Sequence, residues 1–585
     1  MNFFKIMFAS MAGTLLTILI ITLIAFGILA GIIAAAVSST ETISQNTVLQ
    51  LKFDQTIQDR KPSMPIFFDL SGPDKAVGLS DILKSIKRAG NDKNIRGIYL
   101  DLDDIPAGIT TVSEIRDALK DFKSSGKFIY AYSNVLSQKA FYLATVADKL
   151  YINPEGGLLF KGLQTELMFI KGTLEKLDVK VQVVRHGKFK AATEPFFLDK
   201  MSPENRQQIS EMTNDGWDNM LDGISESRGI SKEDLNLLAD SLRISSSADA
   251  YANRMVDSVI YMDQFLDILR SEMGLAKDAR IKTITLEKYM KVPFQDPNLT
   301  AKDKIAVVYA QGNVVDGEGD DSSIGGDRFA KAIRKARQDS KVKAIVLRVN
   351  SPGGSSLASE IVLREILLAD KEKPVVASFG DVAASGGYYI ACGARKIFAE
   401  PTTLTGSIGV WAAIPNFQGL LTNKLGITFD QVMTNDNSDF IPVNKPLSKY
   451  QEAVLQKEIE HVYETFVGHV SKGRGLTLAK VDSIGQGRIW SGEDAKAIGL
   501  VDDLGGLTKA IQAAADLAGI KDYRTTSLPE QRDPVEQIME DFFNSRTEQA
   551  LKKELGDEYR LYEYLKQVRG IRGIQARLPF DVTTN

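Results

Sequence analysis

From Ile6 to Thr40 the chain carries no charged side chain, and the centre of this run, LLTILIITLIAFGILAGIIAAAV, is built mostly from Leu, Ile and Ala. About 20 apolar residues suffice to cross a bilayer, whereas a cleaved signal peptide has an apolar region of only about 7–15. The pattern predicts a cytoplasmic stub and one retained transmembrane anchor over residues 1–40, with a cleaved leader as the alternative because Ala34, Ala35 and Ala36 resemble a cleavage site. Lys5 and the amino terminus carry the nearby positive charge. The positive-inside rule therefore predicts a cytoplasmic amino terminus and an extracytoplasmic body.

Beyond the anchor the periodicity changes. KIAVVYA, VKAIVLRV, PVVASFG and ARKIFAE read as short buried strands. RFAKAIRKARQDS and LASEIVLREILLADKE place their apolar residues at helical spacing. Strands alternating with helices predict an α/β fold with largely parallel pairing. The pattern also recurs. NIRGIYLDLDDIP aligns with KVKAIVLRVNSPG, Ile98 on Ile345, and FYLATVADKLYINP with YYIACGARKIFAEP, Pro154 on Pro401, both at an offset of 247 residues. RISSSADAYANRMVD aligns with RIWSGEDAKAIGLVD, Asp249 on Asp494, at 245. Three blocks in one order and spacing indicate two homologous units, at a period far too long for a solenoid. The units are placed at 41–295 and 296–521. Residues 522–585, highly charged and helical in pattern around VEQIMEDFFNSRTEQALKKEL, are read as an extension that packs on the body or between subunits.

A length of 585 residues fits this multi-domain division. The 71 basic and 75 acidic residues leave a net charge of -4, so no basic excess points to nucleic acid. The single cysteine, Cys392, follows Ile390 and Ala391; it excludes an intrachain disulfide and reads as a buried thiol. Of the three histidines, His461 and His469 lie in the helical run KEIEHVYETFVGHVSKG, which leaves His186 as the one candidate for chemistry. No metalloprotease or phosphate-loop motif is present.

The two units differ where chemistry would need them to. The second carries GDVAASGGYYIACGA, with Ser385 among Ala383, Ala384, Gly386 and Gly387. The position 247 residues earlier is Gln138, followed by Lys139 and Ala140. Small neighbours leave room for a substrate carbonyl, and the N–H of the residue after a nucleophilic serine can stabilise an oxyanion; here that residue is Gly386. A second donor is available in NSPGGSS, where Gly353 or Gly354 permits close backbone approach; the first unit has DDIPAGI there. A serine also needs a base. GKFKAATEPFF in the first unit offers Lys190 in apolar company, Phe189, Ala191, Ala192, Phe196 and Phe197, where the second unit has Ser438. A lysine serves as base only when neutral. Its reference pKa near 10.4 falls by as much as about 3–5 when it is buried. Each unit thus keeps one half of a Ser385/Lys190 pair.

The motifs GDVAASGGYYIACGA, RVNSPGGSSLASE, GKFKAATEPFF and GRIWSGEDAKAIGLVD together resemble the long, two-domain form of the signal peptide peptidase A (protease IV) family, over roughly Val48 to Ile520. The resemblance implies two tandem ClpP/crotonase-like domains and a membrane-anchored oligomer, a tetramer, in the bacterial inner membrane. It also implies cleavage of spent signal peptides, without metal or cofactor. It carries the role of nucleophile to Ser385, that of general base to Lys190, and the oxyanion hole to Gly353 or Gly354 together with Gly386. Three rival readings remain at this stage. His186 could be the base, a crotonase-type fold could act on acyl-CoA, or the chain could be a non-catalytic scaffold or envelope quality-control factor.

Overall fold

The computed structural model describes residues 2–37, 43–61, 76–293, 300–531 and 574–577. Asn2–Val37 forms one continuous helix, and its Phe3–Ile24 stretch is long and apolar enough to cross a membrane.

The repeat is visible as two sheets with the same strand order. The first runs Ser258–Val259, Lys149–Leu158, Phe128–Leu136, Ile95–Asp101, Thr47–Leu51, Lys282–Thr285, with every neighbouring pair parallel. The second contains the same series as Asp503–Leu504, Lys396–Ala399, Val375–Ala384, Val342–Ser351, Asp303–Gln311, Tyr523–Leu528, again parallel throughout. Parallel sheets are covered on both faces, so their strands read as continuous apolar runs. In the second unit helices Gly326–Gln338 and Ser356–Glu372 pack on one face through Phe329, Ile333, Val362 and Ile366, and Leu507–Ala518 covers the other through Leu507, Ala510 and Ala514. In the first, Leu79–Asn91 and Ile109–Lys123 share a face, and Met262–Glu272 takes the opposite one with Phe265 and Leu269. Each unit also has a 26-residue helix, Pro203–Arg228 and Lys449–Arg474. Both begin on a serine that caps the third backbone N–H and stop at a left-handed glycine, Gly229 and Gly475.

Two segments depart from the division expected of the sequence. The second sheet does not end at residue 521: Tyr523–Leu528 adds to it as an edge strand beside Asp303–Gln311. Its polar sequence, YRTTSL, hides a strand because an edge strand buries little, and only Leu528 is fully covered. The helical pattern proposed around residues 535–555 lies outside the described residues. The second departure is a third sheet shared by both units, in the order Ser323–Gly325, Asn313–Val315, Gly353–Ser355, Gln575–Arg577, Val410–Asn416, Lys180–His186. Lys180–His186 belongs to the first half of the chain, yet it pairs antiparallel with Val410–Asn416 along its whole length, His186 opposite Val410.

A buried ion cluster also ties the units together. Arg348, in the centre of the second sheet, donates from Nε to Asp59 (2.8 Å) and from Nη2 to Glu114, both in the first unit. Its Nη1 donates to Ser378 Oγ (2.9 Å) and the Phe379 carbonyl (3.1 Å). Asp381 of the second unit accepts from the backbone N–H groups of Thr110 (3.0 Å) and Thr111 (3.2 Å) and from Thr111 Oγ1 (2.6 Å). Cys392 is buried, and burial pushes its thiol up to about 12.

Candidate active site

The Val375–Ala384 strand ends where Ser385 turns into the short helix Gly386–Ala391. Ser385 has φ +55° and ψ −116°, a conformation that costs a non-glycine residue on the order of 1–3 kcal/mol. It is held there from both sides. Its N–H donates to the Gly406 carbonyl (2.8 Å), and its carbonyl accepts from the Tyr389 N–H (2.8 Å). Only small residues tolerate the turn: a Cβ on Gly387 would come within 2.6 Å of the Ser351 carbonyl oxygen.

The crossover strand delivers the lysine. Directly after Lys180–His186 the chain turns at Gly187 (φ +106°), and the Phe189 N–H donates to the Gln486 carbonyl of the second unit (2.9 Å). Lys190 is therefore aimed across the unit boundary. Its stem runs between two glycines: a Cβ on Gly487 would lie 2.6 Å from Lys190 Cβ, and one on Gly409 would lie 3.2 Å from Lys190 Cδ. Phe189, Ala191, Ala192 and Phe196 are buried around it, as the sequence suggested; Phe197 is half-buried.

Lys190 and Ser385 are both 0% exposed. Lys190 Nζ lies 2.8 Å from Ser385 Oγ, 2.9 Å from Ser407 Oγ and 3.2 Å from the Ser407 carbonyl oxygen. Burial alone lowers the lysine pKa well below its ordinary value; among the described residues no carboxylate acts against it. The neutral amine has two N–H donors and one lone pair. The Ser407 carbonyl can only accept, and Ser407 Oγ–H has the Gly487 carbonyl, 3.5 Å away, for its own proton. Both N–H bonds therefore point to Ser407, and the lone pair is left facing the Ser385 hydroxyl. His186 is elsewhere engaged, its ring stacked on Tyr463 at 3.8 Å.

The glycine turns meet beside the serine. The N–H of Gly353 donates to Ser351 Oγ (3.1 Å), while Gly354 stands opposite Ala576 in the antiparallel ladder. A Cβ on Gly386 would sit 3.0 Å from the Gly354 nitrogen and 3.0 Å from the Ala576 carbonyl oxygen. A Cβ on Gly353 would overlap that same oxygen and come within 2.6 Å of the Gly386 nitrogen. The backbone nitrogens of Gly354 and Gly386 thus border one spot, where a carbonyl oxygen already lies. Sequence reasoning did not single out Ser407, Gly409 or Gly487. The available signal was the small-residue run TGSIG after Leu404.

The sequence profile of peptidase family S49 matches residues 121–276 and 368–521, one segment in each unit. The chain belongs to peptidase family S49. It is 38% identical over 480 residues to "Protease 4" of Salmonella typhi, covering 80% of this chain and 76% of that protein. It is 33% identical over 462 residues to "Serine protease SPPA, chloroplastic" of Arabidopsis thaliana, covering 78% and 68%. Among solved structures, a point mutant of ClpP1 from Listeria monocytogenes aligns with 35% of this chain and 94% of its own, at 16% identity and a TM-score of 0.24. This S49 chain is accordingly a serine protease.

In this S49 protease Ser407 meets Lys190 Nζ with both its hydroxyl and its carbonyl, so if Lys190 is a base, removing Ser407 has a distinctive expected signature. An ammonium has three donors, and Ser407 supplies two of the three oxygens around Lys190. Ser407→Ala deletes one acceptor of the protonated form, a hydrogen bond of the charged kind worth about 1.5–3 kcal/mol. The expected result is a kcat lower by about 10–10²-fold, with the acid limb of the pH–rate profile moved to lower pH. An unmoved limb would show that Ser407 acts only through packing.

Proposed function

We propose that the chain is a membrane-anchored serine endopeptidase that degrades hydrophobic peptides, spent signal peptides in particular, with Ser385 as nucleophile and Lys190 as general base. The observation that carries this reading is the buried Lys190 Nζ at 2.8 Å from Ser385 Oγ, with no acidic group among the described residues to hold it charged. Neutral Lys190 takes the hydroxyl proton as Oγ attacks a peptide carbonyl carbon. The oxyanion is received by the N–H groups of Gly354 and Gly386. The Lys190 ammonium gives its proton to the leaving amine, and water then hydrolyses the acyl-enzyme with Lys190 again as base. Gly353 supports the turn with its positive φ of +101° and directs its own N–H to Ser351.

The apolar helix supports anchoring, and Lys5 near its start supports a cytoplasmic amino terminus with the two units on the extracytoplasmic side of a bacterial inner membrane. A homotetramer is part of the same proposal, on family resemblance.

The test is hydrolysis of a fluorogenic apolar peptide by the full chain in detergent, wild type against Ser385→Ala. Turnover is expected in the first and none above background in the second; equal turnover would refute the nucleophile. The pH dependence has a definite sign. The reaction needs the neutral amine, so kcat/KM is expected to rise with pH along a single-proton limb. Because burial lowers the Lys190 pKa, that limb should lie well below the ordinary lysine value near 10.4. Activity that appears only as pH approaches 10.4 would contradict a buried lysine base.

A further inference from the structure

Lys190 and Ser385 come from different units, so the 2.8 Å between them depends on what fixes the two backbones at that point. Gln208 lies in the second turn of the Pro203–Arg228 helix and is 1% exposed. Its Nε2 donates to the Phe189 carbonyl (3.2 Å) and to Asn205 Oδ1 (3.0 Å), and its Oε1 accepts from the Ile489 N–H (3.2 Å). Both N–H bonds of the amide and its oxygen are thereby engaged. The Phe189 carbonyl belongs to the peptide that carries the Lys190 nitrogen, and the Phe189 N–H is tied to Gln486 of the second unit. Ile489 belongs to the second unit, in the strand Ile489–Ser491, and stands opposite Gly406. The Gly406 carbonyl accepts from the Ser385 N–H, and the next residue, Ser407, gives Lys190 Nζ two oxygens. One side chain of the first unit thus holds the backbone on both sides of the dyad.

The direction of this amide is set from the lysine's own motif. Glu194 follows Lys190 by four positions and is fully buried. Its carboxylate accepts from the Ser202 N–H (3.2 Å), Ser202 Oγ (2.5 Å) and Asn205 Nδ2 (2.9 Å). A carboxylate that gathers these donors turns the NH2 of Asn205 towards itself and leaves Asn205 Oδ1 facing Gln208. Gln208 must then offer its own NH2 to Asn205, and with it to Phe189, so its oxygen is what meets the Ile489 N–H. A flipped amide would set oxygen against two oxygens and N–H against N–H. A buried network in which every member is satisfied holds one arrangement of its parts.

We propose that Gln208 is a positioning residue for peptide hydrolysis: it registers the Phe189–Lys190 peptide of the first unit against Ile489 and Gly406 of the second, and so sets the approach of Lys190 Nζ to Ser385 Oγ, with Glu194 fixing the amide's polarity. The assignment rests on the Ser385/Lys190 reading above. Lys190 Nζ bonds to Ser385 and Ser407, whereas Gln208 reaches the lysine through its backbone. Gln208 therefore acts on the distance between the two groups and not on the proton affinity of the amine. Rates respond steeply to such distances, by about 10²-fold for a misplacement of about 1 Å.

The experiment is steady-state hydrolysis of a fluorogenic apolar peptide by the full chain in detergent, with pH–rate profiles and denaturant unfolding, for wild type, Ser385→Ala, Gln208→Met, Gln208→Glu and Met220→Ala. Methionine fills the space of the glutamine without its bonds. Gln208→Met should lose about 10–10²-fold in kcat, keep KM within about twofold, and leave the acid limb where wild type has it, unlike Ser407→Ala. Met220 is buried on the same helix in the apolar core of the first unit, so Met220→Ala should be less stable yet keep wild-type kcat. Gln208→Glu matches the amide in size, and its carboxyl can donate to the Phe189 carbonyl only while protonated. Its kcat should therefore fall again at alkaline pH, where wild type holds its plateau, and this variant decides the outcome if Gln208→Met does not fold. Wild-type kcat in Gln208→Met, a raised KM with unchanged kcat, an equal loss of kcat in Met220→Ala, or a Gln208→Glu profile that follows wild type would each overturn the assignment. Turnover retained in Ser385→Ala would instead overturn the dyad reading on which it stands.

Discussion

Replacing Lys190 by methionine is expected to lower kcat for peptide hydrolysis by at least about 10³-fold and, at neutral pH, to make the chain more stable. The first effect follows from the neighbours of Ser385 Oγ, where Lys190 Nζ is the basic group within hydrogen-bonding distance. Methionine fills the slot between Gly409 and Gly487 with an unbranched stem and no base. The second effect follows from burial. The lysine pKa is lowered in the fold and stands near 10.4 in the unfolded chain. Below the folded value both states hold the proton, and the full cost of burying a cation weighs on the native state. As pH rises from the folded to the unfolded value, the unfolded chain binds more protons, so wild-type stability climbs. Above the unfolded value the cost is gone. Denaturant unfolding of wild type and variant should therefore show a stability difference that favours methionine at neutral pH and narrows as pH approaches 10.4. A variant that retains wild-type kcat would remove Lys190 from the chemistry, and a less stable variant at neutral pH would contradict the burial cost.

What the residues disclosed in advance was local chemistry and repetition. Ser385 stands in a run of small residues that its counterpart around Gln138 lacks, and Lys190 stands among apolar ones, so both stand out as candidates from the composition of their immediate neighbours. The two-sheet repeat was legible because buried parallel strands such as Val342–Ser351 are continuous apolar runs. The means by which the halves meet was not. Lys180–His186 reads as an ordinary half-buried strand, and nothing in KVQVVRH names Val410–Asn416 as its partner. Ser407 matters through its carbonyl as much as its hydroxyl, and a carbonyl has no sequence signature. Gly409 and Gly487 act by lacking a side chain against Lys190, a role visible only with both segments in place. Gln575–Arg577 is too short and too polar to announce a strand; its neighbours on both sides supply the pairing.

Arg348 is the clearest case of a residue whose weight comes from partners far away in the chain, and Arg348→Met is expected to cost about 3–5 kcal/mol. In VKAIVLRV the arginine interrupts an apolar strand. In the structure it is fully buried, and although burial would lower its pKa, Asp59 and Glu114 reverse that and hold it charged. Glu114 is likewise pushed up by burial and pulled back by Arg348, while its second oxygen accepts from the Leu507 N–H (2.8 Å). Methionine keeps most of the volume but leaves two buried carboxylates without a cation. The deficit has a pH signature. A carboxylate whose folded pKa is raised binds its proton more tightly in the native state, so the deficit should be smallest below the ordinary carboxylate range near 4 and grow as pH rises. Glu114→Gln in the Arg348→Met background removes one of the stranded charges and should recover part of the loss. Because Asp59 and Glu114 lie in the unit that supplies Lys190, and Arg348 in the one that supplies Ser385, peptide hydrolysis should fall alongside stability in Arg348→Met. It should return with Glu114→Gln. A deficit under about 1 kcal/mol at neutral pH, or one that does not change with pH, would mean that the units are held together by the Lys180–His186 strand pairing, their apolar contacts and the Asp381–Thr111 bonds rather than by this ion cluster.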